Sequence, residues 1–142
     1  NELIAYSTAS GTQGICPNGW HIPSNAEWQQ LEMALGMSQV EADAIGWRGT
    51  DQGDKLKIAL DCANNINCGT SGFAALLGGY RNQNGSFQDI GNIATFWTAS
   101  ESISLSNCYY SNRSLDKNQS QIFNYDGNGT LFRGRSCRCV QD

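Results

Sequence analysis

Thirteen residues decide the fold of this chain: Cys16-Pro17-Asn18-Gly19-Trp20-His21-Ile22-Pro23-Ser24-Asn25-Ala26-Glu27-Trp28. Pro17 holds its φ at about −65° and Gly19 adopts positive φ without steric cost, so a chain reversal is expected just before Trp20. Ser24 and Glu27 form a capping-box pattern, in which each side chain bonds to the backbone N–H of the other residue. The stretch therefore predicts a turn that leads directly into a helix.

Two helices are predicted in the first third of the chain. Apolar residues recur at helical spacing over residues 24–35, and Gly36 is well placed just past the end of that helix. Ser38 and Glu41 repeat the capping-box spacing, and Gly46 follows as a stop signal. A second, shorter helix is therefore expected directly after the first.

The remainder of the chain has the pattern of a β-rich half. After Gly69, short apolar runs are separated by Gly, Asn and Ser, which is typical of antiparallel strands and hairpins. Asn84-Gly85 and Gly127-Asn128-Gly129 have turn-forming composition, whereas residues 55–60 fit either a helical turn or a strand. The predicted strands are 73–80, 86–89, 94–100, 108–115, 120–125 and 130–140. Helices ahead of such strands predict a single α+β domain over residues 1–142.

Composition limits the classes of function. Six cysteines and few charged residues favour an oxidised, extracytoplasmic protein. The net charge of −4 argues against nucleic acid as a partner, because phosphate contacts need clustered Lys and Arg. No apolar run approaches the roughly 18 residues of a membrane span, and the first residues lack a signal-peptide pattern. Any signal or anchor is expected outside this sequence.

Catalytic and metal-binding patterns are not found. The sequence has no Gly-x-Ser-x-Gly elbow, no His-Glu-x-x-His and no phosphate-binding loop. The one histidine, His21, is flanked by apolar residues and is interpreted as structural. Asp126, Asn128 and Thr130 alternate like a calcium loop, but no Glu follows at the expected distance, so a glycine turn is preferred. We expect no enzymatic activity, no cofactor and no metal.

Two of the cysteines lie close enough in sequence to pair locally. Cys62 and Cys68 can reach the Cα separation of about 4.4 to 6.8 Å that a disulfide needs. A zinc site would need more thiolate or imidazole ligands at short spacing. A local disulfide is therefore preferred, and the pairing of the other four cysteines stays open from their spacing alone.

Several motifs, in order, resemble those of one protein family. They are Gly14-Ile15-Cys16-Pro17-Asn18-Gly19-Trp20-His21-Ile22-Pro23, Ala26-Glu27-Trp28, Gly46-Trp47-Arg48-Gly49-Thr50, Gly72-Phe73, Gly78-Gly79-Tyr80-Arg81, Phe96-Trp97-Thr98-Ala99-Ser100-Glu101 and Arg138-Cys139-Val140. The chain is similar, from about Ala5 to Asp142, to the Fibrobacter succinogenes major paralogous domain family.

This resemblance implies a fold and a setting. The expected fold is C-type-lectin-like, with two N-terminal helices packed on a small twisted antiparallel sheet with long loops, stapled by disulfides. The expected setting is a secreted or surface-attached bacterial protein without enzymatic activity. Members of the family usually carry a further portion ahead of Leu3, so part of the family domain is expected to be missing. Trp20, Trp28, Trp47 and Trp97 match family positions and are interpreted as core residues.

The resemblance also implies cysteine pairings. Cys16 and Cys139 match positions that usually hold cysteine, which implies a bridge from the first motif to the final strand. Cys108 and Cys137 would then form the remaining bridge. Cys137 and Cys139 lie two apart on one face of a strand, so the exchanged pairing stays open.

A ligand surface is predicted between residues 107 and 135. Tyrosine offers a large contact area at low entropic cost, and asparagine and serine supply adaptable hydrogen bonds, as in antibody loops. C-type-lectin-like domains use the corresponding half for ligands, although the sugar-binding motifs Glu-Pro-Asn, Gln-Pro-Asp and Trp-Asn-Asp are absent here. The alternative is that these residues are ordinary solvent-facing turns. The predicted contact residues are Tyr109, Tyr110, Asn112, Arg113, Asn124, Tyr125 and Asn128.

Three functions are compatible with these observations. The preferred one is a non-catalytic adhesion or ligand-binding module on a bacterial surface, whose partner is a cell-surface glycan or protein. The second is a structural subunit of a pilus or extracellular filament, whose partners are copies of itself. The third and weakest is a formylglycine-generating type of enzyme, which would need an unpaired Cys108 or Cys137.

Overall fold

The computed structural model describes residues 11–62, 67–104, 107–125 and 133–142, without the side chains of residues 101–104 and 107–110. The described part has an α+β architecture with short helices and antiparallel sheets, and none of its helices is long and apolar enough to cross a membrane. In chain order the elements are β1 (Trp20–His21), α1 (Asn25–Ala34), α2 (Gln39–Asp43), β2 (Gly46–Arg48), α3 (Gln52–Leu56), β3 (Tyr80–Arg81), β4 (Phe87–Gln88), β5 (Ile93–Ser104), β6 (Asn107–Asp116), β7 (Ile122–Tyr125) and β8 (Val140–Gln141).

Both predicted capping boxes are present. The Glu27 N–H donates to Ser24 Oγ at 3.3 Å, and the Ser24 N–H donates to the Glu27 carboxylate at 2.8 Å. Ser38 and Glu41 repeat this exchange at the start of α2, at 3.3 and 2.9 Å. Gly36, with a φ of 104°, follows α1 as predicted.

The predicted turn before Trp20 is confirmed. The Trp20 N–H donates to the Pro17 carbonyl at 3.0 Å, and Gly19 has a φ of 78°. Strand β1 then pairs with β8, with Trp20 opposite Gln141. Residues 16–28 are therefore joined by backbone pairing to strand β8.

The central sheet has four antiparallel strands in the order β2-β7-β6-β5. Its register places Phe96 opposite Arg113 and Arg113 opposite Asn124. Strand β2 lies in a segment whose composition indicates turns, and it becomes a strand because β7 pairs with it antiparallel. The undecided residues 55–60 contain the end of α3 and no strand.

Two predicted strands are wrong in extent. Within residues 73–80 only isolated bridges at Ala75 and Gly79 and the first residue of the short strand β3 form, and within 133–139 only isolated bridges at Gly134 and Ser136 form. The predicted hairpin turn at Asn84-Gly85 does connect β3 with β4. The predicted turn at residues 127–129 lies outside the described residues.

An aromatic cluster lies between helix α1 and the central sheet. The ring centroids of Trp28, Phe73 and Phe96 are 5.5 to 5.7 Å apart. Trp28 is buried as predicted, but Trp20 and Trp47 are 39% and 41% exposed. The interpretation of all four tryptophans as core residues is therefore wrong for these two, because both lie on two- or three-residue strands that little else covers.

Two of the predicted disulfides are present. Cys16 bonds to Cys139 with a Cα separation of 5.8 Å, and Cys62 bonds to Cys68 with one of 6.0 Å. The predicted bridge from Cys108 to Cys137 is wrong, because Cys137 is a free thiol. Its side chain packs against the small core cluster that holds the Cys16–Cys139 disulfide, whereas the backbone of Cys108 lies in β6 opposite Ile103.

Candidate functional site

The outer face of the central sheet carries polar and aromatic side chains. Residues alternate along each strand, so Arg113 and Leu115 of β6 point into the core while Asn112 and Ser114 face outward. The same alternation places Tyr125 of β7 on the outer face. The inner face stabilises the fold, and the outer face is left to form a site.

Residues 133–136 extend this face along the free edge of β5. Gly134 exchanges two backbone hydrogen bonds of 2.8 Å with Arg81 of β3, and Ser136 exchanges two of 3.0 Å with residues of β5. The segment therefore lies between β3 and β5. Because side chains alternate in extended chain, Arg133 and Arg135 point to the same side.

Together these elements form a groove of about 370 Å³. Its walls come from the outer face of the sheet, from β3 and from residues 133–136. The lining residues are Trp47, Tyr80, Asp89, Ile93, Thr95, Asn112, Ser114, Asp116, Phe123, Tyr125, Arg133 and Arg135.

Aromatic rings line much of this groove. The Trp47 and Phe123 ring centroids are 5.0 Å apart in an edge-to-face arrangement, and Phe123 and Tyr125 are 6.2 Å apart. Such pairs hold the rings in defined orientations. The exposed part of Trp47 is therefore a preorganised apolar surface.

Both groove arginines stack on aromatic rings. The guanidinium of Arg133 lies 4.7 Å from the centre of the Tyr80 ring, and that of Arg135 lies 4.2 Å from the centre of the Trp97 ring. Nε of Arg133 and Nη1 of Arg135 are buried and have no hydrogen-bond partner. Burial, together with the neighbouring Arg133, lowers the pKa of Arg135 to about 10. Arg135 is thus still a cation at neutral pH.

Two of the predicted contact residues, Asn112 and Tyr125, line the groove. Asn112 is 3% exposed and Tyr125 is half-buried, so each offers part of its side chain to the cavity. Tyr109 and Tyr110 have backbone positions in β6, but their side chains lie outside the description, as does Asn128.

Arg113 and Asn124 were expected on the surface, and this expectation is wrong. Arg113 is fully buried and donates to Glu32 at 2.8 Å, to Asn124 at 2.5 Å and to Asn25 at 2.6 Å. Glu32 also accepts from Arg48 at 2.5 Å. These side chains form an ionic network that joins α1 to the sheet, and within it Arg113 and Asn124 are buried in the core.

Sequence reasoning missed most of the groove residues. Trp47 is predicted to be a core residue, and the predicted contact residues do not include Arg133 and Arg135. Their alternation in Arg133-Gly134-Arg135-Ser136 was visible in a segment predicted as a strand. What the sequence did not show is that Tyr80, from a distant hairpin, lies beside them.

His21 connects three parts of the fold. It is 7% exposed, and its Nδ1 lies 2.6 Å from Asp142 Oδ1 while its Nε2 lies 2.7 Å from Glu27 Oε1. The hydrogen bonds to Asp142 and then to Glu27 raise the pKa of His21. The imidazole thus joins β1, α1 and the residue after β8, which is the arrangement expected of a structural histidine.

Cys137 offers one thiol in a cluster of three sulfurs. The Sγ atoms of Cys16, Cys137 and Cys139 lie within 4.8 Å of one another, and two of them are already bonded. Burial raises the pKa of the Cys137 thiol. A formylglycine-generating type of enzyme needs a reactive thiolate, and this environment works against one.

Comparisons with known proteins identify a protein family for this chain. Searches among curated proteins and among solved structures found no match to the chain. Among models of protein families, one matches residues 1–141, and its description is Fibrobacter succinogenes major domain.

Proposed function

The chain belongs to the Fibrobacter succinogenes major domain family, and from that premise we propose that it is a non-catalytic, extracellular binding module with a C-type-lectin-like fold. It binds a cell-surface glycan or protein in the groove on the outer face of the central sheet. The observation that carries this proposal is the groove itself, which is concave and lined by aromatic rings and by the cationic side chains of Arg133 and Arg135.

The shape and lining of the groove support binding. Ligand sites in proteins are concave clefts of about 300 to 1,000 Å³, largely apolar, with a few placed polar groups. This groove has a volume of about 370 Å³ and combines rings such as Trp47 and Tyr125 with the polar side chains of Thr95 and Asn112. Its residues come from several elements that the fold holds together, so the site is formed before a ligand arrives.

Two features support the C-type-lectin-like fold and the extracellular setting. Strands β1 and β8 pair near the two ends of the described chain, and the Cys16–Cys139 disulfide joins the same region. Helices α1 and α2 precede a mainly antiparallel sheet. Disulfides of this kind persist in oxidising compartments outside the cytoplasm.

A matched pair of tryptophan substitutions tests the groove. Trp47 and Trp20 are exposed to nearly the same extent, but only Trp47 lines the groove. On an array of glycans and cell-surface proteins, we expect Trp47→Ala and Tyr125→Ala to lose a signal that the parent protein gives and Trp20→Ala to retain it. An equal loss from Trp20→Ala, or no signal from the parent protein, would count against the proposal.

A second function is favoured by a separate observation. Leu76, Phe87 and Ile90 are 64% to 67% exposed and lie in or beside the β3–β4 hairpin. Exposed apolar side chains of this size are suited to protein contacts when they are adjacent. Under this alternative the module is a subunit of a pilus or filament. Light scattering that shows a strict monomer at every concentration would remove it.

A further inference from the structure

Arg133 and Arg135 differ in their contacts from Arg48, Arg113 and Arg138. Arg48 and Arg113 both donate to Glu32 in the core, and Arg138 is exposed over the Phe73 ring at 4.8 Å. Within the described residues, no ion pair includes Arg133 or Arg135. Two neighbouring cations thus line one cavity without a counter-charge bonded to either.

The unpartnered nitrogens are costly as they stand. A buried donor without a hydrogen bond costs about 1 to 3 kcal/mol, and more when the group is charged. Two adjacent guanidinium groups add mutual repulsion. An oxyanion in the groove would offset that repulsion.

The stacking of both arginines favours a carboxylate. A guanidinium held over the face of an aromatic ring, as that of Arg133 is over Tyr80 and that of Arg135 is over Trp97, can still donate hydrogen bonds from its N–H edge. That edge matches the two oxygens of a carboxylate. Because both guanidinium groups line the same groove, one anionic substituent can interact with both.

The acidic residues of the groove limit the ligand further. Asp89 and Asp116 also line it, and among the described residues no ion pair joins either of them to Arg133 or Arg135. Carboxylates accept hydrogen bonds from hydroxyl groups. The groove thus suits a ligand that carries both hydroxyl groups and a carboxylate, with a ring that can lie against Trp47.

We propose that the ligand is an acidic glycan of the uronic acid class, and that Arg133 and Arg135 bind a sugar carboxylate in the groove. This inference rests on the proposed binding function and names the ligand class for the same site. Asp89 and Asp116 accept hydrogen bonds from sugar hydroxyls, and the aromatic wall contacts the apolar face of a sugar ring.

The test uses the arginine Nε–H resonances of the ¹⁵N-labelled protein. It is titrated separately with trigalacturonate, with its methyl ester, which has the same rings without the charges, and with sodium sulfate. We expect trigalacturonate to shift the Arg133 and Arg135 signals saturably and to leave Arg138 unchanged. The ester and sulfate should each bind at least about 10-fold more weakly, the scale of a lost charge-assisted hydrogen bond.

Substitutions test the two arginines directly. We expect Arg133→Gln and Arg135→Gln to weaken trigalacturonate binding by about 10-fold or more. Arg138 also stacks on an aromatic ring but lies outside the groove, so we expect Arg138→Gln to leave this binding unchanged. Arg135→Lys keeps the charge and the stacking stem, so it serves if the glutamine variant does not fold. We expect it to bind trigalacturonate more weakly than the parent protein, because lysine lacks the two-pronged edge.

The outcomes separate this inference from the binding function. Equal binding of trigalacturonate and its ester, or sulfate binding as tight as trigalacturonate, would overturn the acidic-glycan assignment. Unshifted Arg133 and Arg135 signals would do the same. An array signal that depends on Trp47 but not on these arginines would support the binding function and contradict the acidic-glycan assignment.

Discussion

Glu32 has no exposed surface, yet it accepts hydrogen bonds from two arginines, Arg48 at 2.5 Å and Arg113 at 2.8 Å. Glu32→Gln removes the negative charge and points amide hydrogens at guanidinium hydrogens. Breaking a buried ion pair by removing one partner costs about 3 to 5 kcal/mol. We expect a loss of that size in the free energy of unfolding, measured with urea.

Glu41→Gln is the matched control for this change. Glu41 lies on the neighbouring helix and its carboxylate accepts from Ser38 on the surface. Glutamine keeps a capping-box acceptor there, so we expect a much smaller loss than that of Glu32→Gln. Similar losses of unfolding free energy from the two variants would mean that the buried network stabilises the protein no more than a surface capping box does.

The contacts of His21 predict a dependence of stability on pH. Asp142 and Glu27 raise the pKa of His21 above its ordinary value of about 6.5, so its contribution is complete below that pH and is lost as the pH rises through the raised pKa. Burial raises the pKa of Glu27, but hydrogen bonds from Ser24 and His21 lower it overall. Its contribution is therefore present above about pH 4.5 and is lost as the pH falls through the lowered pKa.

The measurement is urea unfolding of the parent protein and His21→Gln at several pH values. We expect the difference in unfolding free energy to be about 1 to 2 kcal/mol between roughly pH 5 and 6.5 and to shrink at alkaline pH. A difference that stays constant to pH 9 would show that the imidazolium does not stabilise the fold.

The residues of the site show where sequence reasoning ends. The composition of 107–135 identified the region, and Asn112 and Tyr125 do line the groove. Arg113 and Asn124 are polar residues of the same segment but face the core, because strand register and the buried Glu32 decide the direction of their side chains. No local pattern contains that information.

At the scale of elements, features that depend on neighbouring residues can be predicted from the sequence, whereas features that depend on distant partners cannot. The capping boxes of α1 and α2 depend on residues three apart, and both are present. Strand β2 and residues 133–136 become extended through partners far away in sequence. The composition of β2 indicates a turn, but pairing with β7 makes it a strand. The strand predicted over residues 130–140 is longer than the isolated bridges that form there. The overall α+β class was predictable, whereas the groove between these elements was not.

Gly79 fixes the approach of the β3–β4 hairpin. It has a φ of 66°, and a Cβ there would lie 2.0 Å from the carbonyl oxygen of Gln88. Gly79→Ala therefore combines left-handed strain with a backbone clash, and we expect it to cost at least about 2 kcal/mol and to displace Tyr80 from the groove. A lower melting temperature and weaker ligand binding would be the readouts.

Gly78→Ala provides the control for that substitution. A Cβ at Gly78 meets nothing within 4 Å, and this glycine does not have a left-handed φ. We expect a change of less than about 0.5 kcal/mol. If the two alanine variants are equally stable, the close packing at Gly79 does not matter to the hairpin.

At the scale of the whole molecule, the Cys16–Cys139 disulfide closes a loop with a sequence separation of 123. A cross-link over a loop this long stabilises a protein by about 4 to 5 kcal/mol in the chain-entropy model. Cys16→Ser removes that contribution. Cys139→Ser leaves Cys16 and Cys137, whose Sγ atoms lie within 4.8 Å, free to bond to each other.

We therefore expect Cys139→Ser to be more stable than Cys16→Ser. Peptide mapping of oxidised Cys139→Ser should find a bridge between Cys16 and Cys137, and reduction should bring the two variants to similar melting temperatures. Equal stability before reduction, with no such bridge, would contradict the expectation.

The same disulfide also has a mechanical consequence. A stretching force applied to the chain before Cys16 and after Cys139 passes through the covalent bond and bypasses everything between the two cysteines. At about 3.5 Å per residue, roughly 430 Å of chain is thereby protected from extension. Tension that enters the chain before Cys16 and leaves it after Cys139 would thus not extend the strands that form the groove until the sulfur–sulfur bond is reduced.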